Sequence, residues 1–151
     1  MKLNNTFAIG CLIQWYEIEI IEEYLQSVKN AIEPIENKEN IIVDLYFNMT
    51  TSLEDIDNTQ YTIHAIQKRF DDIKKDLIDC GITLNTQDLG GLMLHEREII
   101  YTIADYRRDF NDKYCTEVDV LMWGESDSLI PRQTFQILDN MHTSIKESTP
   151  K

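Results

Sequence analysis

Glu125 and Asp127 stand one residue apart at the end of an apolar stretch, in Val118-Asp119-Val120-Leu121-Met122-Trp123-Gly124-Glu125-Ser126-Asp127-Ser128-Leu129-Ile130-Pro131. Two solvent-facing carboxylates at this spacing can hold a hard divalent cation, and such a cation commonly shares its shell with phosphate oxygens. The chemistry would be charge compensation: a departing phosphate group gathers negative charge, and a metal ion stabilises it. Ser126 and Ser128 would add oxygen ligands or shape the turn. The competing reading is a solvated turn, which a chain with 27 acids and 14 bases has many ways to produce. What separates the two readings is where the surrounding elements deliver the pair.

Those elements are legible from hydrophobic period. Phe7 to Ile13 is a continuous apolar run, as expected of a strand covered on both faces. Ile18, Ile21, Leu25, Val28 and Ile32 then recur at helical spacing. Glu17, Glu19, Glu22 and Glu23 crowd the first turns, where the helix dipole favours negative charge, and Pro34 ends the helix. Ile41 to Phe47 is a second strand, and Thr50 to Asn58 reads as a loop at its carboxyl end. A helix over Thr59 to Asp79 has Ile63, Ile66, Phe70, Ile73 and Leu77 as its buried stripe, with Gly81 as terminator. Ile82 to Thr86 reads as a short third strand, and Asp88-Leu89-Gly90-Gly91 as loop because of its glycine pair. His95 to Tyr114 is helical, with Ile99, Ile103, Tyr106, Phe110 and Tyr114 inward. After the apolar stretch that opens at Val118, Pro131 starts a last helix. It runs through Phe135, Leu138, Met141 or His142, and Ile145, and Ser144 to Lys151 reads as frayed. Strict strand–helix alternation predicts an α/β three-layer sandwich with a mostly parallel sheet. The carboxyl edge of such a sheet is where ligands sit, and Glu125-x-Asp127 falls on that edge.

Composition narrows the function classes. The 151 residues suit one domain, 1–151, with no internal linker or repeat. A formal net charge of -13 argues against nucleic-acid partners and against docking on an anionic membrane. No segment is long and apolar enough to span a bilayer, and Phe7 to Ile13 is too short for a signal peptide, so the expected location is the cytoplasm. Cys11, Cys80 and Cys115 are odd in number and widely spaced, which excludes a disulfide framework or a structural zinc site; Cys11 reads as a buried thiol. His64, His95 and His142 lack metal-ligand spacing. There is no Gly-x-Gly-x-x-Gly, P-loop or Gly-x-Ser-x-Gly elbow.

The opening segment, Ile9-Gly10-Cys11-Leu12-Ile13-Gln14-Trp15-Tyr16-Glu17-Ile18-Glu19 with Glu22-Glu23-Tyr24-Leu25-Gln26-Ser27-Val28, resembles the start of family-2-like glycosyltransferases. Those open on an apolar strand, then Pro-x-Tyr-Asn, then a helix carrying Leu-x-Ser-[Leu/Val]. The Leu121 to Pro131 segment is similar to their metal motif, an apolar strand followed by Asp-x-Asp, a few apolar residues and Pro. Ala104 to Asn111 stands where the family often has an Ala-Arg-Asn stretch. Gln14 and Glu17 replace the usual Pro and Asn, Glu125 replaces the first Asp, and the second strand lacks the usual paired acids at its end. The resemblance implies the Rossmann-like, nucleotide-binding half of a GT-A fold, with strand order 3-2-1-4. It implies a nucleotide-diphospho-sugar donor held through manganese or magnesium. By position, Tyr16 and Glu17 would border the nucleoside and Asn48 the base; Arg107 and Arg108 would approach the diphosphate, and Glu125 and Asp127 would face the metal. The family's acceptor-binding half and its catalytic base have no counterpart in these residues. If the chain is complete, an acceptor wall would come from a partner or a second copy; if it is a fragment, catalysis belongs to the longer parent.

Each residue has a plainer role to set beside this. Tyr16 can pack a loop, Trp123 can sit in the core or at its rim, and Arg107 or Arg108 can pair with Asp105, Asp109 or Asp112. The rival functions are a non-catalytic α/β binding or assembly module and a metal-dependent nucleotidyltransferase, which also sets paired acids on a similar sheet.

Overall fold

A computed structural model describes residues 1–14, 17, 20–51, 63–92 and 102–148, with side chains except at 49–51, 63–64 and 88–92. Among these residues four strands alternate with four α-helices: β1 (Phe7–Gln14), α1 (Ile21–Ile32), β2 (Ile41–Thr51), α2 (Ile63–Asp79), β3 (Thr83–Leu92), α3 (Ile103–Tyr114), β4 (Val120–Trp123) and α4 (Thr134–Ser148). The strands form one parallel sheet in the order β3-β2-β1-β4. The sheet grows from β1 through β2 to β3, then the chain returns to lay β4 on the other side of β1. The fold is the α/β three-layer sandwich that the alternation predicts, with the strand order that the resemblance implies.

Side-chain alternation along β1 builds the layers. Phe7, Ile9, Cys11 and Ile13 join Ile21, Tyr24, Leu25 and Val28 of α1, Ile66, Phe70 and Leu77 of α2, and Phe135 of α4 in one core. Ala8 and Leu12, on the opposite face, pack with Tyr106, Phe110 and Tyr114 of α3. β1 is therefore sealed on both faces and paired on both edges, which is why its sequence reads as an uninterrupted apolar run.

Several boundaries differ from the sequence reading, each for a local reason. β2 runs on to Thr51 and β3 on to Leu92, so Thr50 and the Gly90-Gly91 pair lie in strands and not in loops; Met49 pairs with Gly90 and Thr50 with Gly91. A backbone ladder needs no side chain, and β3 is an edge strand, where glycine is tolerated. The last helix begins at Thr134, not at Pro131, because the Pro131 carbonyl accepts from both the Thr134 amide (3.1 Å) and its hydroxyl (2.6 Å) and closes a turn first. α4 then continues to Ser148, past the point where fraying was expected. Its inner side holds Phe135 and, unforeseen, Asp139, while Met141 and Ile145 face outward. Asp139 is buried and accepts from the amides of Asn4 (3.0 Å) and Asn5 (2.9 Å) and from the Asn5 side chain (2.9 Å). In the third helix Ile103 is half-exposed, and residues 93–101, including Ile99, lie outside the described part. Thr102 and Asp105 form a reciprocal capping box at its start. α2 stops at Gly81 (φ +79°), with the Ile82 amide bonded to Leu77 and the Gly81 amide to Ile78, the paired bonds of a left-handed helix stop. Among the described residues no helix is long and apolar enough to cross a membrane.

The approach of α3 to the sheet depends on Gly10. A Cβ there would lie 2.4 Å from the Tyr106 hydroxyl and 2.6 Å from the Phe110 ring. Neither ring is free to retreat, since Tyr106 donates to buried Asp44 (2.8 Å) and both are buried. Gly10→Ala is expected to destabilise the fold by about 1–3 kcal/mol through overpacking. Urea denaturation measures it; a variant as stable as the native protein would mean that α3 sits further from β1 than described.

Candidate functional site

A parallel sheet whose strand order reverses leaves a crevice at the reversal, outside the carboxyl ends of the two strands that part there. Here those strands are β1 and β4. β4 runs beside β1 from Phe7↔Val120 to Gly10↔Trp123, and the Gly124 amide still donates to the Gly10 carbonyl (2.6 Å). Beyond that bond the chain turns away, and a hollow of about 560 Å³ opens. Gln14 and Glu17 line it from the end of β1, and Glu125, Ser126 and Asp127 from the end of β4. Ile20, just before α1, and Ile103, at the start of α3, complete its walls. The two acids of the Glu-x-Asp motif thus share one concavity with a third, Glu17.

The turn that carries the acids is fixed at both ends. Gly124 has to be glycine because a Cβ would fall 1.8 Å from the hydroxyl of buried Tyr24. The Ser128 amide closes on the Glu125 carbonyl (3.0 Å). Further on, the Ile130 amide donates to the Ser27 hydroxyl (3.1 Å), which itself donates to the Tyr24 carbonyl (2.6 Å). Ser27, the serine of the Leu25-Gln26-Ser27-Val28 pattern, is therefore a clamp between α1 and the turn. Its signal in the sequence is a small hydroxyl on the buried stripe of a helix.

Within the hollow, burial perturbs the titration of Glu17. Glu17 has its carboxyl raised above the usual range, first by burial and then by the charge of Asp127, while a backbone hydrogen bond at Gln14 pulls it down. Its Oε2 is buried with no hydrogen-bond partner among the described residues. Burial, followed by the charges of Glu17, Glu125 and Asp127, pushes the buried Cys11 thiol far up, so Cys11 senses all three acids. At the rim Arg107 reaches Glu125 (3.4 Å) while lying over the Trp123 ring at 5.0 Å.

The remaining sequence-predicted residues divide. Tyr16 lies outside the described residues. Asn48 is buried within β2 and does not end it; its side chain donates to Gln14 (2.9 Å), its register partner, which lines the hollow. Arg108 turns away from the hollow, onto Asp105 (3.4 Å) and Asp109 (3.6 Å). Trp123 is half-exposed at the rim and not part of the core. Asp44 is mid-strand and takes the hydroxyls of Tyr106 and Tyr114 (2.8 and 2.6 Å), which is a structural arrangement. Another hollow, about 350 Å³ between α1 and α2, is crossed by the pairs Lys29–Asp76 (2.7 Å) and Arg69–Glu22.

As a cation site, the hollow offers carboxylate, hydroxyl and amide oxygens, a donor set that suits magnesium or manganese over softer metals. Among the described residues no three His, Cys, Asp or Glu side chains already stand in position to hold a metal ion. Protein ligands would number two, with the rest drawn from water or phosphate. Compared with protein-family models, curated proteins and solved structures, the chain matches none.

Glu17 gives a direct test of this electrostatic description. A carboxyl raised in the folded state binds its proton more tightly there than in the unfolded chain, whose value is about 4.3. Stability is then lost as pH rises through the interval between the two values, and the loss is complete above it. Glu17→Gln should therefore be more stable than the native protein at pH 7–8, with the gap closing toward pH 4. Thermal melts across that range would reject the description if the two proteins ran in parallel.

Proposed function

We propose that this protein binds a nucleotide-diphospho-sugar through a divalent cation held by Glu125 and Asp127, as the donor-binding part of a glycosyltransferase. The observation that carries the reading is positional: both acids emerge from β4 beside the end of β1, at the reversal of strand order, into one hollow with Glu17. A solvated turn has no need of a hollow, nor of the clamps at Gly124 and Ser27.

Magnesium or manganese, when bound, would compensate the charge that builds on a diphosphate leaving group. The chain's own residues would do the rest. Glu125 and Asp127 supply hard oxygen donors. Ile20 and Ile103, both about half-exposed at 45% and 48%, offer apolar walls to a ring. Ile20 also marks the amino end of α1, which has no side-chain cap and where backbone amides favour phosphate oxygens. Arg107 stands at the rim within reach of an anion. Glu17, half-buried beside Glu125 and Asp127, adds a third carboxylate to the lining.

A second reading, a binding or assembly module without transfer chemistry, draws support from α4. Ile137, Met141 and Ile145 form a row along it at four-residue spacing and are 53%, 55% and 58% exposed.

Thermal melts with uridine, guanosine and thymidine diphosphates, each with and without manganese, separate the two. The donor-binding reading expects stabilisation by one nucleotide that requires the metal and is lost in Glu125→Ala and in Asp127→Ala. At about a hundred times Kd the rise should be roughly 5–10 °C. No shift with any nucleotide would leave the binding module as the better account.

A further inference from the structure

We propose that Arg107 is an internal counter-ion, which gives up Glu125 when a divalent cation arrives and then takes the ligand's phosphate. This rests on the metal–diphosphate reading above and assigns the order of events at that site.

Three observations lead to it. First, Glu17, Glu125 and Asp127 face one hollow, and among the described residues Arg107 is the cation paired with an acid of that set. It is the compensation that the described residues offer Glu125. Second, the pair is built to exchange. Its contact is 3.4 Å, and its side chains are 37% and 55% exposed, a geometry in which ion pairs contribute little. A cation on Glu125 would both occupy the carboxylate and repel the guanidinium. Third, Arg107 keeps a second anchor when it leaves. Its guanidinium lies over the Trp123 ring, and its backbone belongs to α3, fixed against β1 through Tyr106 and Phe110. The freed group stays at the rim, with planar N–H donors that match phosphate oxygens in pairs. The adjacent Arg108 pairs instead with Asp105 and Asp109, neither of which lines the hollow.

The test uses magnesium alone, then inorganic pyrophosphate with magnesium, followed by calorimetry. A Trp15→Phe background leaves Trp123 as the only tryptophan, because the chain has two. Arg107→Ala should bind magnesium more tightly, by up to about fivefold, because the internal competitor is gone. It should bind pyrophosphate with magnesium more weakly, by about tenfold or more. Lys68→Ala, which removes one charge from α2 outside the hollow, should change neither. In the Arg107 protein, magnesium should shift Trp123 emission; in Arg107→Ala that shift should disappear. If magnesium binding requires Glu125 and Asp127 but Arg107→Ala leaves it unchanged or weaker, the exchange is wrong and the metal site stands. Unchanged pyrophosphate binding in Arg107→Ala would likewise overturn the transfer to phosphate. If magnesium does not bind the native protein, the metal reading and the exchange fall together.

Discussion

The parallel pairing of β4 with β1 is the constraint on which the site depends. β1 lies between β2 and β4 with a helical layer on each face, so any element that reaches it must fit a space already bounded. Two glycines make the fit. Gly10 lets Tyr106 and Phe110 of α3 come against the strand, and Gly124 lets the Tyr24 hydroxyl of α1 come against the outgoing chain. The Gly124 amide and the Gly10 carbonyl then bond to each other (2.6 Å). Sheet pairing and helix packing thus meet at one place, and the carboxylates leave the core one and three residues later.

The molecule treats its inward-facing carboxylates in two ways. Asp139 and Asp44 are saturated: the first by amides of Asn4 and Asn5, the second by two tyrosine hydroxyls. Such groups fix the chain and offer nothing to a ligand, since a buried acceptor already supplied with donors gains little from another. Glu17 differs. It shares its surroundings with Asp127, and one of its oxygens is buried without a donor among the described residues. Unsatisfied negative charge beside a hollow is costly unless something positive or hydrogen-bonding enters. That contrast, more than the number of acids, distinguishes the β1–β4 crevice from the rest of an acidic protein.

Much of the scaffold was legible because periodicity survives in one dimension. The double-sided burial of Phe7 to Ile13, the stripe through Ile66, Phe70 and Leu77, and the inward Tyr106, Phe110 and Tyr114 follow from spacing alone. Boundaries followed less well where a neighbour decided them. Gly90 and Gly91 read as loop, yet β2 offers them a ladder; Pro131 reads as a helix start, yet its carbonyl is taken by Thr134. Met141 and Ile145 have the right period for an inner face, but Asp139 holds that position by gripping the amino-terminal segment.

For the site, the sequence determined residue types: two acids after an apolar strand, a glycine before them, a serine on the first helix, an arginine pair on the third. Chemical identity is local, so it can be read without knowing any neighbour. The tertiary structure decided which of these meet. It put Glu17 with Glu125 and Asp127, turned Arg107 toward them and Arg108 away, and attached Asn48 to Gln14. Those choices follow from the side on which β4 returns to β1 and from the rotation of α3 against the sheet. Both are set by packing between residues a hundred positions apart, a distance over which no motif carries information.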